Sequence, residues 1–203
     1  MLKGVVDSSP ADPVTSYFAE VARALTAVRV SDAEGKPLSV QAGFEWVADT
    51  ACNAHTGGNK VLLIGNGGSA AIASHIAIEF LKNGGIRSLA LHDPAALTCL
   101  SNDLGYSNVF AEQLKVHGLP GGLLIAVSSS GQSVNILKAV EVARRQGMKI
   151  ATFSGFQPDN LLRARGDTNF YVNSNEYGFV EVAHHALIQA ILDIYVFPRR
   201  ASP

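Results

Sequence analysis

Short apolar runs alternate with stretches of helical periodicity along most of this chain, and this alternation constrains the fold more than any other feature. Each run is four or five residues long and aliphatic or aromatic, as buried strands are. Strands that alternate with helices form parallel sheets through right-handed crossovers, with helices on both faces. The sequence therefore predicts an α/β fold: a three-layer α/β/α sandwich with a five-stranded, mostly parallel sheet.

The positions of these elements follow from the same pattern. The predicted strands are 61–64, 88–91, 123–127, 150–154 and 169–172. The predicted helices are 69–83, 94–117, 134–147, 158–164 and 178–195.

Two further helices are expected before the first of these strands. One begins at Pro13, which suits a first helical turn, and its apolar residues recur at helical spacing as far as Val28. Residues 31–37 break this helix, and Ser39 can cap the next one. The two would form an N-terminal helical hairpin. The predicted organisation is a mobile arm (1–12) and a single domain (13–198), divided into N-terminal helices (13–57) and an α/β core (58–198).

Composition narrows the class of protein. The chain has 203 residues, of which 47% are hydrophobic and 16% charged, and this excludes a disordered chain. The formal net charge of −1 gives no general attraction to nucleic acid or to anionic membranes. Two cysteines are too few for a disulfide framework, and neither a secretory signal nor a membrane-spanning run is expected. We expect a cytoplasmic protein that binds neither nucleic acid nor membrane.

A glycine-rich loop, GNGGS at residues 65–69, directly follows the strand at 61–64 and precedes a helix. Ligands of open α/β sheets bind beyond the carboxyl ends of the strands, and a helix N-terminus attracts anions. The loop lacks the Gly-Lys-Ser/Thr ending of a Walker A loop and the spacing of a dinucleotide fingerprint. It is either an anion-binding loop or simply a tight turn between strand and helix.

A serine-rich loop, SSSGQS at residues 128–133, occupies the same position after the strand at 123–127. Clustered hydroxyls at a helix N-terminus suit a phosphate monoester that must bind and leave repeatedly. One serine there would be explained by helix capping alone, but four serines around one glycine favour phosphate binding.

The two loops together resemble those of the sugar isomerase (SIS) domain family, and residues 40–195 are most similar to its phosphoheptose isomerase group. His75, Glu79 and the pair Asn102-Asp103 lie at offsets that match this group. The resemblance implies a flavodoxin-like SIS domain that interconverts sedoheptulose 7-phosphate and glycero-manno-heptose 7-phosphate through an enediol. It also implies a homotetramer with active sites between subunits.

The resemblance assigns roles to individual residues. Glu79 is implied to be the catalytic carboxylate, and His75 to bind zinc together with it in metal-containing members. One helical turn separates the two, so they share a face and can act as metal ligands or merely hydrogen-bond there. The residues implied to bind substrate are Asn66, Gly67, Gly68, Ser69, Asn102, Asp103, Ser128, Ser129, Ser130 and Ser133.

The last helix departs from the group's pattern. Where the group has Gln, His and a second His, this chain has Glu181, His184 and Gln189. Because an amide cannot exchange a proton near neutral pH, we expect His184 or the adjacent His185 to take over the acid/base role. Glu181 is expected to contact substrate, to act as a base, or to join His75 and Glu79 as a metal ligand. Gln189 is a poor replacement for a His ligand, so zinc should bind weakly or not at all.

Three functional hypotheses remain open at this point. The first is a phosphoheptose-isomerase-like aldose–ketose isomerase. The second is a sugar-phosphate-binding regulator or scaffold without turnover, similar to the SIS protein that associates with the bacterial replication initiator and also lacks the last His. The third is an isomerase for another ketose phosphate. Among other side chains, Lys138 is expected on an ordinary solvated helix face. His92 is either a loop residue before a helix or a residue near the ligand, and Tyr106 is expected to shape the sugar pocket together with Asp103.

Overall fold

The computed structural model describes the backbone of residues 12–201 and the side chains of residues 12–199, so the predicted arm lies almost wholly outside the described residues. The strands are β1 (Arg29–Asp32), β2 (Pro37–Leu38), β3 (Val61–Ile64), β4 (Ser88–Ala90), β5 (Leu123–Ser128), β6 (Lys149–Ser154) and β7 (Thr168–Tyr171). The helices are α1 (Pro13–Thr26), α2 (Val40–Thr56), α3 (Gly68–Lys82), α4 (Pro94–Leu104), α5 (Val109–His117), α6 (Val134–Arg145), α7 (Tyr177–Ile191) and α8 (Phe197–Ala201).

The seven strands form one sheet in the order β2-β1-β7-β6-β5-β3-β4. Strands β3 to β7 pair in parallel, whereas β1 is antiparallel to both of its neighbours. Alternate residues of β3 enter two separate hydrophobic clusters, Val61 and Leu63 on one face and Leu62 and Ile64 on the other. The three-layer sandwich and its mostly parallel sheet are therefore confirmed.

The strand count differs from the prediction, because a short hairpin separates the two N-terminal helices. Asp32 Oδ1 accepts hydrogen bonds from the backbone N–H groups of Glu34 and Lys36, and Gly35 has a φ of +79°. The predicted helix break is thus a turn between β1 and β2, and β1 extends the sheet by pairing with β7. Both predicted helices exist, but they do not form a simple helical hairpin.

Three of the predicted helices also differ in detail. The stretch 94–117 is two helices, because Gly105 has a φ of +82° and a 3₁₀ turn, Tyr106–Asn108, follows it. The stretch 158–164 contains only a 3₁₀ turn at Leu161–Ala164. The last helix continues from α7 through a π-helical segment, Leu192–Val196, into α8.

The C-terminal helical run Tyr177–Arg199 is long and apolar enough to cross a membrane, judged by length and composition alone. In the fold, one face of this run packs against the sheet. Val180, Ala183 and Leu187 are among its buried residues. Packing as a core helix explains its apolar composition.

Candidate functional site

The glycine-rich loop forms a tight connection between β3 and α3. Gly67 has a φ of +53°, a conformation that favours glycine, and it precedes the first residue of α3 without offering a side-chain cap. The first backbone N–H groups of α3 are therefore left for another partner. Gly68 leaves space for a side chain of α7, because a β-carbon there would overlap the carboxylate of Glu181 in its present position.

The serine-rich loop connects β5 to α6 in the same way. Ser133 stands at the cap position of α6 but its side chain makes no capping hydrogen bond; instead its Oγ accepts from Ser128 Oγ at 3.3 Å. Ser130 Oγ accepts from the backbone N–H of Gln132 at 3.2 Å. Ser129 Oγ is buried without a partner among the described residues. The side chain at the cap position of α6 is therefore not used for capping, and a helix N-terminus of this kind can accept an anion.

The side chain of Asn160 packs against Gly131 of the serine-rich loop. Its side chain is buried, donates to Ser154 Oγ at 3.2 Å and to the carbonyl oxygen of Gly155 at 3.1 Å, and lies where a β-carbon on Gly131 would be. Gly131 has a φ of +64°. Only glycine fits at this position, because both the backbone angle and the space exclude a side chain.

The two loops lie side by side because β3 and β5 are adjacent parallel strands. The amides of Asn66, in the glycine-rich loop, and Asn135, in the first turn of α6, form a reciprocal pair, each donating to the other at 2.9 Å. The Tyr106 hydroxyl donates to Asn66 Oδ1 at 2.8 Å. The predicted substrate residues of both loops are thereby brought to one edge of the sheet.

His92 fixes the glycine-rich loop from the neighbouring strand end. Its Nε2 lies 2.9 Å from the carbonyl oxygen of Gly65, and its Nδ1 lies 3.4 Å from Ser74 Oγ. Burial lowers the pKa of His92, and the Gly65 carbonyl opposes this in part. A neutral ring that donates from Nε2 fits these contacts.

Helix α7 lies across the beginning of α3 and adds the side chains of the last helix to the site. Besides the contact of Glu181 with Gly68, the rings of His75 and His185 meet edge to face with centroids 5.0 Å apart. Burial, followed by the charge of His75, lowers the pKa of His185. Glu181, His75 and His185 thus line the contact between the two helices.

His184 points the opposite way, into the core. It is fully buried, and its Nε2 donates to the carbonyl oxygen of Ser154 at 3.1 Å, while Nδ1 has no partner among the described residues. Burial lowers the pKa of His184 to about 4, despite the opposing effect of this hydrogen bond. His184 is therefore neutral at physiological pH, and its ring links α7 to the end of β6.

Glu79 lies one turn beyond His75 on α3 and is half-buried. Its carboxylate accepts a hydrogen bond from Asn83 Nδ2 in the same helix. Two large apolar neighbours, Ile78 and Leu81, are more than half exposed. Glu79 thus lies on a helix that exposes large apolar side chains in the single chain.

Asn102 and Asp103 lie exposed on α4 and contact each other, with Asn102 Nδ2 donating to Asp103 Oδ1 at 2.8 Å. Asp103 also accepts from Cys99 Sγ at 3.6 Å. Within the described residues, the hydrogen bonds of this pair do not reach either loop. The segment that follows does, through Tyr106.

The predicted metal ligands do not lie close enough together to form a site within a single chain. Among the described residues, no group of three or more His, Cys, Asp or Glu side chains is close enough to hold a metal ion. His75, Glu79 and Glu181 therefore do not form a zinc site within the single chain.

Sequence reasoning missed several contacts of this region. Asn135 carries no motif, and its role depends on a contact between distant segments. Tyr106 was expected near the sugar together with Asp103, but its hydrogen bond to Asn66 could not be predicted from the sequence. Lys138 is not an ordinary solvated side chain, because its Nζ donates to Ser107 Oγ at 3.1 Å and Asn108 Oδ1 at 2.9 Å. For the contact between His92 and the glycine-rich loop, the sequence offered one signal: His92 directly follows a strand at the same edge of the sheet.

Residues 16–155 match the family model described as the SIS domain. This chain belongs to the SIS domain family. A phosphoheptose isomerase of Thermodesulfovibrio yellowstonii is 37% identical over 158 residues, which are 73% of this chain and 78% of that protein. A phosphoheptose isomerase of Roseiflexus sp. is 33% identical over 193 residues, 92% of this chain and 95% of that protein.

The solved structure of a phosphoheptose isomerase from Neisseria gonorrhoeae has the same fold as this SIS domain. The TM-score is 0.77 at 30% sequence identity, and the match covers 89% of this chain and 95% of that one. The resemblance that the two loops predicted is confirmed.

Proposed function

We propose that this SIS protein is an aldose–ketose isomerase of the phosphoheptose isomerase type, acting on sedoheptulose 7-phosphate through an enediol. The observation that carries the proposal is the pairing of the glycine-rich and serine-rich loops at adjacent strand ends, tied by Asn66 and Asn135. The phosphoheptose isomerases of T. yellowstonii and Roseiflexus sp., which match most of the chain, support it.

The serine-rich loop holds the phosphate in this proposal. It offers the hydroxyls of Ser128, Ser129, Ser130 and Ser133 together with the first N–H groups of α6. The sugar then extends towards Asn66, Gly67, Gly68 and Ser69, where Glu181 faces the loop. Asn102 and Asp103 complete the sugar contacts.

Isomerisation requires a base that moves a proton between C1 and C2. Glu79 is the proposed base, because its carboxylate has a single described hydrogen-bond donor and keeps acceptor capacity for a substrate proton. A second group must manage the hydroxyl protons. His185 is better placed than His184, because the Nε2 of His184 is held by Ser154 and its ring is fully buried.

We also propose a homotetramer with sites between subunits, acting in the cytoplasm. Exposed apolar side chains on α1, α3 and α7 support an assembly that covers them. These side chains are Val14, Phe18, Ile78, Leu81 and Val182. Light scattering should give a mass four times 21.4 kDa, and a mass of one chain at micromolar concentration would refute the tetramer.

A second candidate function is sugar-phosphate binding without turnover. Two observations favour it: Gln189 replaces a proton-exchanging His and instead donates to Asp193 Oδ1 at 2.9 Å, and His184 is neutral and buried. In this case the two loops would still bind the ligand, and the protein would act as a regulator or scaffold.

One experiment separates the two functions. Sedoheptulose 7-phosphate is incubated with the protein and aldose formation is followed by NMR, while calorimetry measures binding. The proposal predicts both binding and conversion, and Glu79→Gln should bind with little conversion. Binding without conversion would support the second candidate, and absence of binding would refute both.

A further inference from the structure

The orientation of the Asn66 amide is fixed by a chain of hydrogen bonds that starts at a backbone N–H group. Asn135 Oδ1 accepts from the backbone N–H of Ile136 at 3.0 Å, so this atom of Asn135 must be the oxygen. Its Nδ2 then has to donate to Asn66 Oδ1, and Asn66 Nδ2 donates back to Asn135 Oδ1. The orientation of Asn66 follows from that of Asn135.

The same chain determines what Asn66 can offer to a ligand. Its Oδ1 accepts from both Asn135 and the Tyr106 hydroxyl, which uses both lone pairs of the carbonyl oxygen. Its Nδ2 donates one of its two hydrogens to Asn135, and the second hydrogen takes no part in these contacts. Asn66 therefore presents one N–H donor and no acceptor.

Helix α6 holds both partners of Asn66. Asn135, in the first turn of α6, is buried with 3% of its surface exposed. Lys138, one turn further along, binds Ser107 and Asn108 and so anchors the 3₁₀ turn that carries Tyr106. The serine-rich loop begins the same helix, so the phosphate loop and the Asn66 donor share one rigid support.

We propose that Tyr106 and Asn135 are positioning residues that lock the Asn66 amide with its free N–H towards an oxygen acceptor of the bound sugar phosphate. This inference rests on the proposed function for the nature of the ligand. Because Asn66 is fixed as a hydrogen-bond donor, the site favours a sugar with an acceptor oxygen at this position. The phosphate is bound by the serine-rich loop.

The first test removes a single hydroxyl. Tyr106→Phe should weaken binding of sedoheptulose 7-phosphate about fivefold, the effect of one net hydrogen bond, and leave the affinity for inorganic phosphate unchanged. Tyr195→Phe is the matched control, because it deletes a hydroxyl on the C-terminal helical run, outside the loops. In an Asn66→Ala background, Tyr106→Phe should have no further effect, since the two residues act as one unit.

Two outcomes of this test would contradict the inference. An equal loss from Tyr106→Phe with and without Asn66 would mean that Tyr106 acts directly on the ligand, and an equal loss for phosphate would mean a general structural effect. If wild type binds but does not convert the sugar phosphate, the proposed function fails while these affinities still decide the inference.

A second test needs no ligand. In a crystal structure of the double variant Asn135→Leu/Tyr106→Phe, Asn66 should leave its present side-chain position, because both partners are gone. An unchanged Asn66 would overturn the inference. This test remains decisive even if wild type binds neither sugar phosphate nor phosphate.

Discussion

The carboxylate of Glu181 lies against Gly68, where a β-carbon on the glycine would overlap it. This contact brings α7 over the first turn of α3, at the glycine-rich loop. Gly68 is the first residue of α3, and its lack of a side chain leaves room for this carboxylate. The present position of the Glu181 side chain therefore depends on the absence of one side-chain carbon.

Gly68→Ala tests this relationship. A β-carbon at this position would displace the Glu181 carboxylate, which is the end of a flexible side chain, so the cost to stability should be small. We expect little change in the free energy of unfolding in urea but a loss of kcat/KM of about tenfold, the effect of losing one hydrogen bond to a charged group, because Glu181 no longer faces the loop. In a Glu181→Ala background, the same substitution should be neutral or stabilising. Gly178→Ala is the control, because its β-carbon would make only an ordinary 3.4 Å contact with the Tyr17 hydroxyl. An equal loss of kcat/KM in both variants would contradict the account.

Ser129→Ala separates ligand binding from stability. The Ser129 hydroxyl is buried without a partner among the described residues, and such a group costs about 1–3 kcal/mol. Its removal should leave thermal stability unchanged or higher, while the affinity for inorganic phosphate falls about tenfold, or roughly 1–2 kcal/mol. Ser16→Ala, which deletes an exposed hydroxyl on α1, is the control and should leave the phosphate affinity unchanged. Unchanged phosphate affinity in Ser129→Ala would remove this hydroxyl from the anion site.

His184 should make the fold sensitive to acid. Its pKa of about 4 in the folded state lies below the ordinary 6.5, so the unfolded chain binds the proton more readily between these values. The free energy of unfolding therefore falls as pH drops from about 6.5 to 4, by roughly 3 kcal/mol from this group. Urea titrations at several pH values should show a smaller fall for His184→Gln than for wild type, and no such change for His117→Gln. An identical pH dependence in His184→Gln and wild type would be evidence against a buried neutral imidazole.

The pair His75 and His185 makes a prediction about titration. Because the charge of His75 helps to lower the pKa of His185, His75→Gln should raise it. Burial should keep it below the ordinary value, since burial is the larger cause. Histidine proton shifts followed by NMR over pH 4–8 measure this directly. His55→Gln, on α2, should leave the titration of His185 as it is; a His185 pKa unaffected by His75→Gln would show that the rings do not interact in solution.

Much of this fold could be predicted because its central strands are buried on both faces. The run at 61–64 is apolar throughout, which identifies a central strand without any knowledge of its neighbours. The hairpin of β1 and β2 gave no such signal, because β1 has only four residues and most of them are polar. It forms because it pairs with β7, a contact that sequence periodicity does not contain.

Part of the candidate site could likewise be predicted from the sequence, and part of it could not. Its two loops were predictable because each combines an unusual composition with a position after a strand. The Asn66–Asn135 pair was not, because it joins residues 69 positions apart and depends on the packing of β3 beside β5. His184 and His185 are adjacent and chemically identical in sequence, and only the packing of α7 shows that one is buried and the other faces His75.

Conversion of sedoheptulose 7-phosphate in deuterium oxide tests the central claim most directly, since it reports proton transfer at carbon. The account predicts that wild type forms the aldose with deuterium at C2, and that Glu79→Gln binds the sugar phosphate yet slows conversion by about 10²–10⁴. Binding by wild type with neither aldose nor deuterium incorporation, or full conversion by Glu79→Gln, would contradict it.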